Sequence, residues 1–424
     1  MLQTKNHIFI FLFVCSVIGA NAQDTINSAT VEQKSYQLYL DKKWPELIKY
    51  GNKAVHLGYD YFYLQMRIGI AYYEKKNYSY AEGHFKKALA FNSADDLALE
   101  YLYYCYIFKG RYDEARLLSK QFNETLTKKI GIENQSKVGF VIIEGGSKNT
   151  DSTSYYDETR KTSSNYFNSP IYLQIGFNHY IKNRVSLFHA LSYFNQKTFI
   201  DRISQTQYYL KMNIPTKNSW LISPAVHWVN IKTSNQVLGP GILPQQHPNH
   251  QGLPPQIQTI SSFANYFVGS LTVQKTIRKI VLSLGATVSN VNNKTQFLHS
   301  GFVSYSVFGN SKLVVGCTGI FHTSDSYSTM NRSLSPFIYV QPINQISLKL
   351  SYLSNTKNNV IEENGYLVNN SADLTKSRYS VLVNFNISKK VALYGLYQLE
   401  YKQERAQLFN YQYNVFVAGL KITP

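Results

Sequence analysis

Residues 280–289 read Ile280-Val281-Leu282-Ser283-Leu284-Gly285-Ala286-Thr287-Val288-Ser289. In an extended chain successive side chains point to opposite faces. Ile280, Leu282, Leu284, Ala286 and Val288 therefore share one face, and Ser283, Gly285, Thr287 and Ser289 share the other. The same rhythm recurs in three further stretches. In one, Ile171, Leu173, Ile175 and Phe177 alternate with Tyr172, Gln174, Gly176 and Asn178. In the next, Ile346, Leu348, Leu350 and Tyr352 alternate with Ser347, Lys349 and Ser351. In the third, Tyr379, Val381, Val383, Phe385 and Ile387 enclose Ser380, Asn384 and Asn386. Each stretch is long enough for a tilted strand to cross hydrocarbon, which takes about 9–11 residues. A soluble sandwich has shorter strands and an oily inner face. Here the inner face is polar and the outer one is apolar.

Extending this reading gives about 14 strands, with 12 or 16 as the neighbouring counts. Their starts fall near Lys137, Tyr166, Arg184, Ile203, Ser219, Gln258, Lys279, Lys294, Lys312, Thr329, Asn344, Ala372, Lys390 and Gln407. Tight turns at 182–184, 216–218, 278–279, 309–310, 342–344 and 388–390 share one end, and the longer connections 148–165, 233–257 and 356–371 share the other. The tight turns carry Lys182, Arg184, Lys217, Arg278, Lys279, Lys389 and Lys390, which suit lipid phosphates or an acidic partner, or simply a solvated rim. Alternation points Lys211 and Lys349 into the lumen. Loop 233–257 holds Pro240, Pro244, Pro248, Pro254 and Pro255, and is the candidate for a lumen plug or an external docking surface.

Upstream, the period changes. Trp44, Tyr78 and Tyr112 stand 34 residues apart, as do Leu47, Ala81 and Ala115, and Leu38, Tyr72 and Tyr106. Small residues at 81 and 115 let paired helices approach, and aromatics fill the space beside them. This pattern resembles the tetratricopeptide repeat. Copy one departs from it, with Ser35 in place of Gly and Gly51 in place of a large apolar residue. The resemblance implies a groove lined by the first helix of each pair, with Tyr36, Tyr39, Tyr63, Met66, Ile70, Tyr73, Tyr104 and Phe108 as its partner-binding candidates. The first-copy positions for a carboxylate clamp hold Glu32 and Tyr36, so a clamp for a terminal carboxylate is not expected.

Residues 1–22 have the form of a cleaved signal: Lys5, an apolar core from Ile8 to Ile18, and Ala20-Asn21-Ala22 before Gln23. Cleavage removes Cys15 and leaves Cys105 and Cys317, too few and too distant for a disulfide framework. The chain carries a net charge of +18. Residues 1–130 hold 17 Lys/Arg and 13 Asp/Glu, and residues 131–424 hold 26 and 12, so the excess lies in the strands. Export argues against nucleic acid as a partner and favours anionic lipid or an anionic polymer. Mean hydropathy is −0.26, which does not exclude a barrel, because alternation hides its apolar face.

No spacing suggests zinc or another cofactor. His179, His189, His227, His299 and His322 sit in no nucleophile or metal motif, and His247 and His250 lack a third ligand, so no enzymatic activity is expected. The expected architecture is an α + β membrane protein. A signal (1–22), a three-repeat helical solenoid (23–130) and a linker (131–136) precede an antiparallel transmembrane β-barrel (137–424). The whole resembles outer-membrane barrels fused to periplasmic tetratricopeptide repeats, of Bacteroidota type. That resemblance implies an interaction subunit of an envelope machine for barrel assembly, secretion or motility. It would bind protein partners in the periplasm and outer membrane as part of a hetero-oligomeric complex, amid lipid and lipopolysaccharide. The alternative is a conduit exporting an anionic polysaccharide or other solute.

Overall fold

The computed structural model describes residues 27–133, 136–150, 155–157, 162–164, 168–182, 184–197, 201–238, 257–324, 329–355, 360–369, 374–403 and 410–424. The proposed signal, His247, His250 and all five loop prolines lie outside the described residues.

Seven helices come first: α1 (Ser28–Leu40), α2 (Trp44–His56), α3 (Phe62–Glu74), α4 (Tyr78–Phe91), α5 (Asp96–Phe108), α6 (Tyr112–Leu118) and α7 (Glu124–Ile130). Equivalent helices of successive pairs begin 34 residues apart, at Ser28, Phe62 and Asp96 and again at Trp44, Tyr78 and Tyr112. Side chains start three of these helices. Asn27 makes a reciprocal capping box with Thr30, Asp95 Oδ1 accepts from Ala98 N, and Asn123 Oδ1 accepts from Leu126 N. Gly131, at φ 74°, closes α7 in the left-handed conformation. Leu47, Ala81 and Ala115 are fully or almost fully buried, as their register requires. At Gly69 an added Cβ would lie 2.7 Å from the Phe85 ring, so this glycine sets how closely α3 and α4 approach. None of these helices is long and apolar enough to cross a membrane, which says nothing about strands.

Fourteen antiparallel strands follow and close on themselves: β1 (Val138–Thr150), β2 (Asn168–Ile181), β3 (Val185–Lys197), β4 (Asp201–Pro215), β5 (Trp220–Leu238), β6 (Ile257–Ile277), β7 (Ile280–Ser289), β8 (Gln296–Ser306), β9 (Leu313–Ser324), β10 (Thr329–Ile343), β11 (Ile346–Asn355), β12 (Leu374–Asn386), β13 (Val391–Gln403) and β14 (Asn410–Ile422). Neighbours in sequence are neighbours in the ring. β14 closes it on β1, with Val141 opposite Ile422 and Thr150 opposite Tyr413. Outward side chains form the expected apolar belt: Leu284 is 74 % exposed and Ile171 57 %. Their inward neighbours Ser283, Thr287, Tyr172 and Gln174 line the lumen. A closed, even-numbered ring with an apolar exterior, short turns at one end and long connections at the other is the architecture of outer-membrane barrels.

Candidate functional site: a plugged and floored lumen

A ring of fourteen strands is too wide to be filled by its own side chains. The lumen accordingly holds a cavity of about 1960 Å3. Ser, Thr, Gln, Asn and Tyr together with charged groups make up the larger part of its wall, with apolar side chains between them. Glu144 of β1 accepts from Tyr172 Oη (2.7 Å), Gln174 Nε2 (3.0 Å) and Tyr394 Oη. On the neighbouring wall Glu400 lies 3.5 Å from Lys148 and 4.0 Å from both Arg378 and Lys402.

The connection between β11 and β12 folds into this space. Val360–Glu362 pairs with Leu367–Asn369, and a tight left-handed turn, Glu363–Gly365, forms the tip. Glu363, Asn364 and Gly365 all have positive φ (50°, 61° and 83°), a conformation that Asn and Gly accept most readily. The tip reaches the opposite wall. The Asn364 carbonyl accepts from Ser270 Oγ (2.6 Å) and Tyr209 Oη (3.4 Å), and its side-chain oxygen from Thr272 Oγ1 (2.7 Å). His227 Nδ1 donates to the Gly365 carbonyl at 2.7 Å, and Gln174 donates to Tyr366 Oη. Ile361 enters a small apolar cluster with Val229, Tyr266, Val268, Val291, Leu298 and Ile320. At the base, Arg378 Nη2 holds Glu362 at 2.7 Å. This connection was expected to be a long external loop; it is a plug. Loop 233–257, the sequence-based candidate, lies mostly outside the described residues. His227, which had no role in the sequence reading, secures the plug tip. The missed signal was Asn364-Gly365 between Val360-Ile361 and Leu367-Val368, the composition of a tight hairpin.

The solenoid forms the floor. Ser79 N donates to the Gly309 carbonyl (2.9 Å), Asn310 Nδ2 to the Lys76 carbonyl (3.0 Å), and Ser311 Oγ to the Phe108 carbonyl (3.2 Å). Gly309 has φ 76°, which strains any other residue, and a Cβ there would lie 2.0 Å from Asn77 Oδ1 and would have to displace that amide. Ser186 Oγ donates to Asp113 (3.2 Å), and the Arg116 guanidinium stacks 3.8 Å from the centre of the Tyr180 ring. The electrostatic centre is Glu82. Its carboxylate is 2.6 Å from Lys86, 2.8 Å from Lys109 and 2.7 Å from Arg111, and Lys86 also donates to Ser219 of the barrel rim at 2.9 Å. Burial alone would raise the Glu82 carboxyl, but Lys109, Arg111 and Lys86 outweigh it and hold it well below the usual carboxylate range.

The rim turns separate accordingly. Arg278 and Lys279 lie 5.5 and 5.8 Å from the Tyr80 ring, so the partner of that turn is the chain's own solenoid. Lys182 and Arg184 are exposed, as are Lys389 and Lys390, and Lys217 lies in the rim turn 217–219. Lys211 and Lys349 both line the cavity, as alternation required.

The groove residues also divide. Tyr36, Tyr63 and Phe108 are exposed, while Tyr39, Tyr73 and Tyr104 are half-buried. Met66 and Ile70 are buried in the solenoid core with Leu99, Leu102 and Tyr103, so they pack the repeats rather than present an open surface. Arg67, which the repeat register did not single out, lies under Tyr36 and Tyr63 (5.0 and 6.0 Å) and pairs with Glu32 at 2.5 Å. The two described cysteines are free, Cys105 buried and Cys317 half-buried.

No family model matches this chain, and no curated protein does. Among solved structures, a Pseudomonas aeruginosa FadL homologue aligns at 8 % identity over 68 % of this chain and 90 % of that one, with a TM-score of 0.40. The Pseudomonas putida toluene transporter TodX aligns at 7 % identity over 68 % and 89 %, TM-score 0.42. A mutant of MamA aligns at 19 % identity over 22 % of this chain and 55 % of that one, TM-score 0.22. These are distant similarities of fold, and no functional argument rests on them.

Proposed function

We propose that this protein is a gated outer-membrane conduit, with its solenoid in the periplasm serving as floor and docking platform. The polar cavity of about 1960 Å3 carries this reading. An anchor alone needs no such space, since eight strands suffice to span a bilayer and fill themselves with side chains. The plug is held largely by hydrogen bonds and an ion pair, contacts that water can replace when a segment withdraws. Structure thus shifts the weight from an interaction subunit, the reading the sequence favoured, toward the conduit. The test is conductance across planar bilayers. The intact protein should be mostly silent, and a variant with residues 360–369 excised should pass a steady current. A correctly folded, excised barrel that stays silent would end the conduit reading.

The scaffold reading is retained for one observation: Tyr36 and Tyr63 remain exposed on the solenoid, and neither hydrogen-bonds the barrel among the described residues. Exposed aromatics of this kind anchor protein partners. Purification in mild detergent tests it, since a stoichiometric partner should be lost when Tyr36 and Tyr63 are both changed to Ser.

A further inference from the structure

The floor covers only part of the mouth. Among the described residues, the solenoid's hydrogen bonds to the barrel fall on the linker before β1, on β3, and on the turns 216–219, 278–279 and 307–312. None reaches the β12–β13 turn or the C-terminal residues. Those same segments, Ser388 to Val391 and Thr423-Pro424, line the cavity together with Tyr112 and Asp113 of α6. The lumen therefore meets the outside between α6 and the β12–β13 turn.

The charges at this gap differ from those elsewhere in the lumen. Nearer the plug, cations are matched: Lys148, Arg378 and Lys402 surround Glu400, and Arg378 also holds Glu362. Lys211, on the far wall, lies near Glu363 and Asp113 but pairs with neither within 4.0 Å. Beside the gap, where Asp113 of α6 hydrogen-bonds Ser186, two wall lysines lack a carboxylate partner among the described residues. Lys421 rests its ammonium 4.4 Å from the centre of the Phe140 ring, and Lys349 rests its own 5.1 Å from that of Phe337. Neither makes an ion pair among the described residues. Lys389 and Lys390 stand exposed in the turn just outside, where the Lys390 carbonyl accepts from Thr423 N at 2.7 Å. An ammonium parked on an aromatic face is stabilised only modestly and remains free to take a stronger anionic partner. Low-dielectric walls around uncompensated cations also focus their field into the opening.

We infer that this gap is an entrance for anions, and that its ligand is a flexible polymer bearing carboxylates, first met by Lys389 and Lys390 and then handed to Lys421 and Lys349. Lysine suits passage better than arginine, because a hydrated point charge on a flexible stem lacks the bidentate grip that would hold a carboxylate in place. The inference rests on the conduit reading for its purpose, but its test does not need a current.

The probe is an oligogalacturonate, titrated into the intact protein in detergent at low salt, with a neutral malto-oligosaccharide as control. Saturable binding of the acidic probe alone is expected. The double change Lys349→Gln/Lys421→Gln should weaken it about tenfold, and Lys349→Arg/Lys421→Arg should restore it. Lys182→Gln/Arg184→Gln removes equal charge elsewhere on the rim and should change it less than about twofold. Equal weakening by the two neutral pairs would reduce the effect to bulk charge and overturn the inference. So would the absence of saturable binding, or failure of the Arg pair to rescue. A silent plug-excised barrel would remove the conduit and leave this binding result standing, so the two failures are distinguishable.

Discussion

Replacing Glu82 by Gln keeps the side chain's shape and removes its charge. The carboxylate is 8 % exposed and within 2.8 Å of three cationic groups. Their fates differ once it is gone. Lys86 is 36 % exposed and can turn to water. Arg111 keeps its ion pair with Glu114. Lys109, 6 % exposed, keeps only the Arg278 carbonyl at 3.3 Å among the described residues. The loss is therefore dominated by one stranded ammonium. Breaking a buried pair costs about 3–5 kcal/mol, and the low end applies because the new amide still offers an oxygen. At about 4–8 °C per kcal/mol for a domain of this size, the solenoid's melting midpoint should fall by roughly 12–24 °C, read by helical circular dichroism in detergent while the barrel stays folded. Ser219→Ala, which removes one neutral partner on the barrel side, should cost no more than about 1 kcal/mol. The folded Glu82 carboxyl is depressed, so its contribution is present above the unfolded value near 4.5 and is lost as pH falls below it. A Glu82→Gln protein that melts within about 4 °C of the parent would refute the reasoning, because it would mean that Lys109 finds water or another acceptor at no cost.

Three further outcomes follow from local geometry. Gly83→Ala, an exposed helical position with nothing within 4 Å of the new Cβ, should stabilise the solenoid by about 0.5–1 kcal/mol, whereas the same change at Gly69 drives a methyl into Phe85 and should destabilise it; chemical denaturation of both variants would show the opposite signs, or their absence. Burial lowers His84 to about 4, so it stays neutral in the fold, and solenoid stability should decline as pH falls from 6.5 toward 4; His84→Gln should flatten that slope in melts across the same range. Arg378→Leu frees Glu362 at the plug base and should raise the open fraction in single-channel records about tenfold or more, and an unchanged open fraction would show that the pair does not hold the plug.

Periodicity makes most of the fold legible in the sequence. The fourteen strand starts read from alternation, Lys137 through Gln407, each fall within three residues of an observed strand start. Lipid imposes a two-residue rhythm on each strand separately, so each can be read from its own neighbours. The 34-residue spacing of Trp44, Tyr78 and Tyr112 is equally local, because each helical pair packs chiefly on the next. Lys211 and Lys349 were placed in the lumen by the same rule.

What alternation cannot carry is the partner across the ring. It turned Lys211 and Lys349 inward alike, and only the closed barrel set one near Asp113 and Glu363 and left the other on Phe337. Met66 and Ile70 shared a register with the exposed groove aromatics, but α5 covers them. The plug is the clearest case. Asn364 bonds Thr272, ninety-two residues away, and Gly365 bonds His227 on a different strand. A loop lies inside or outside according to whether its polar groups find partners in the lumen. Those partners come from strands that face one another only after β14 has met β1, so that choice belongs to the tertiary structure alone.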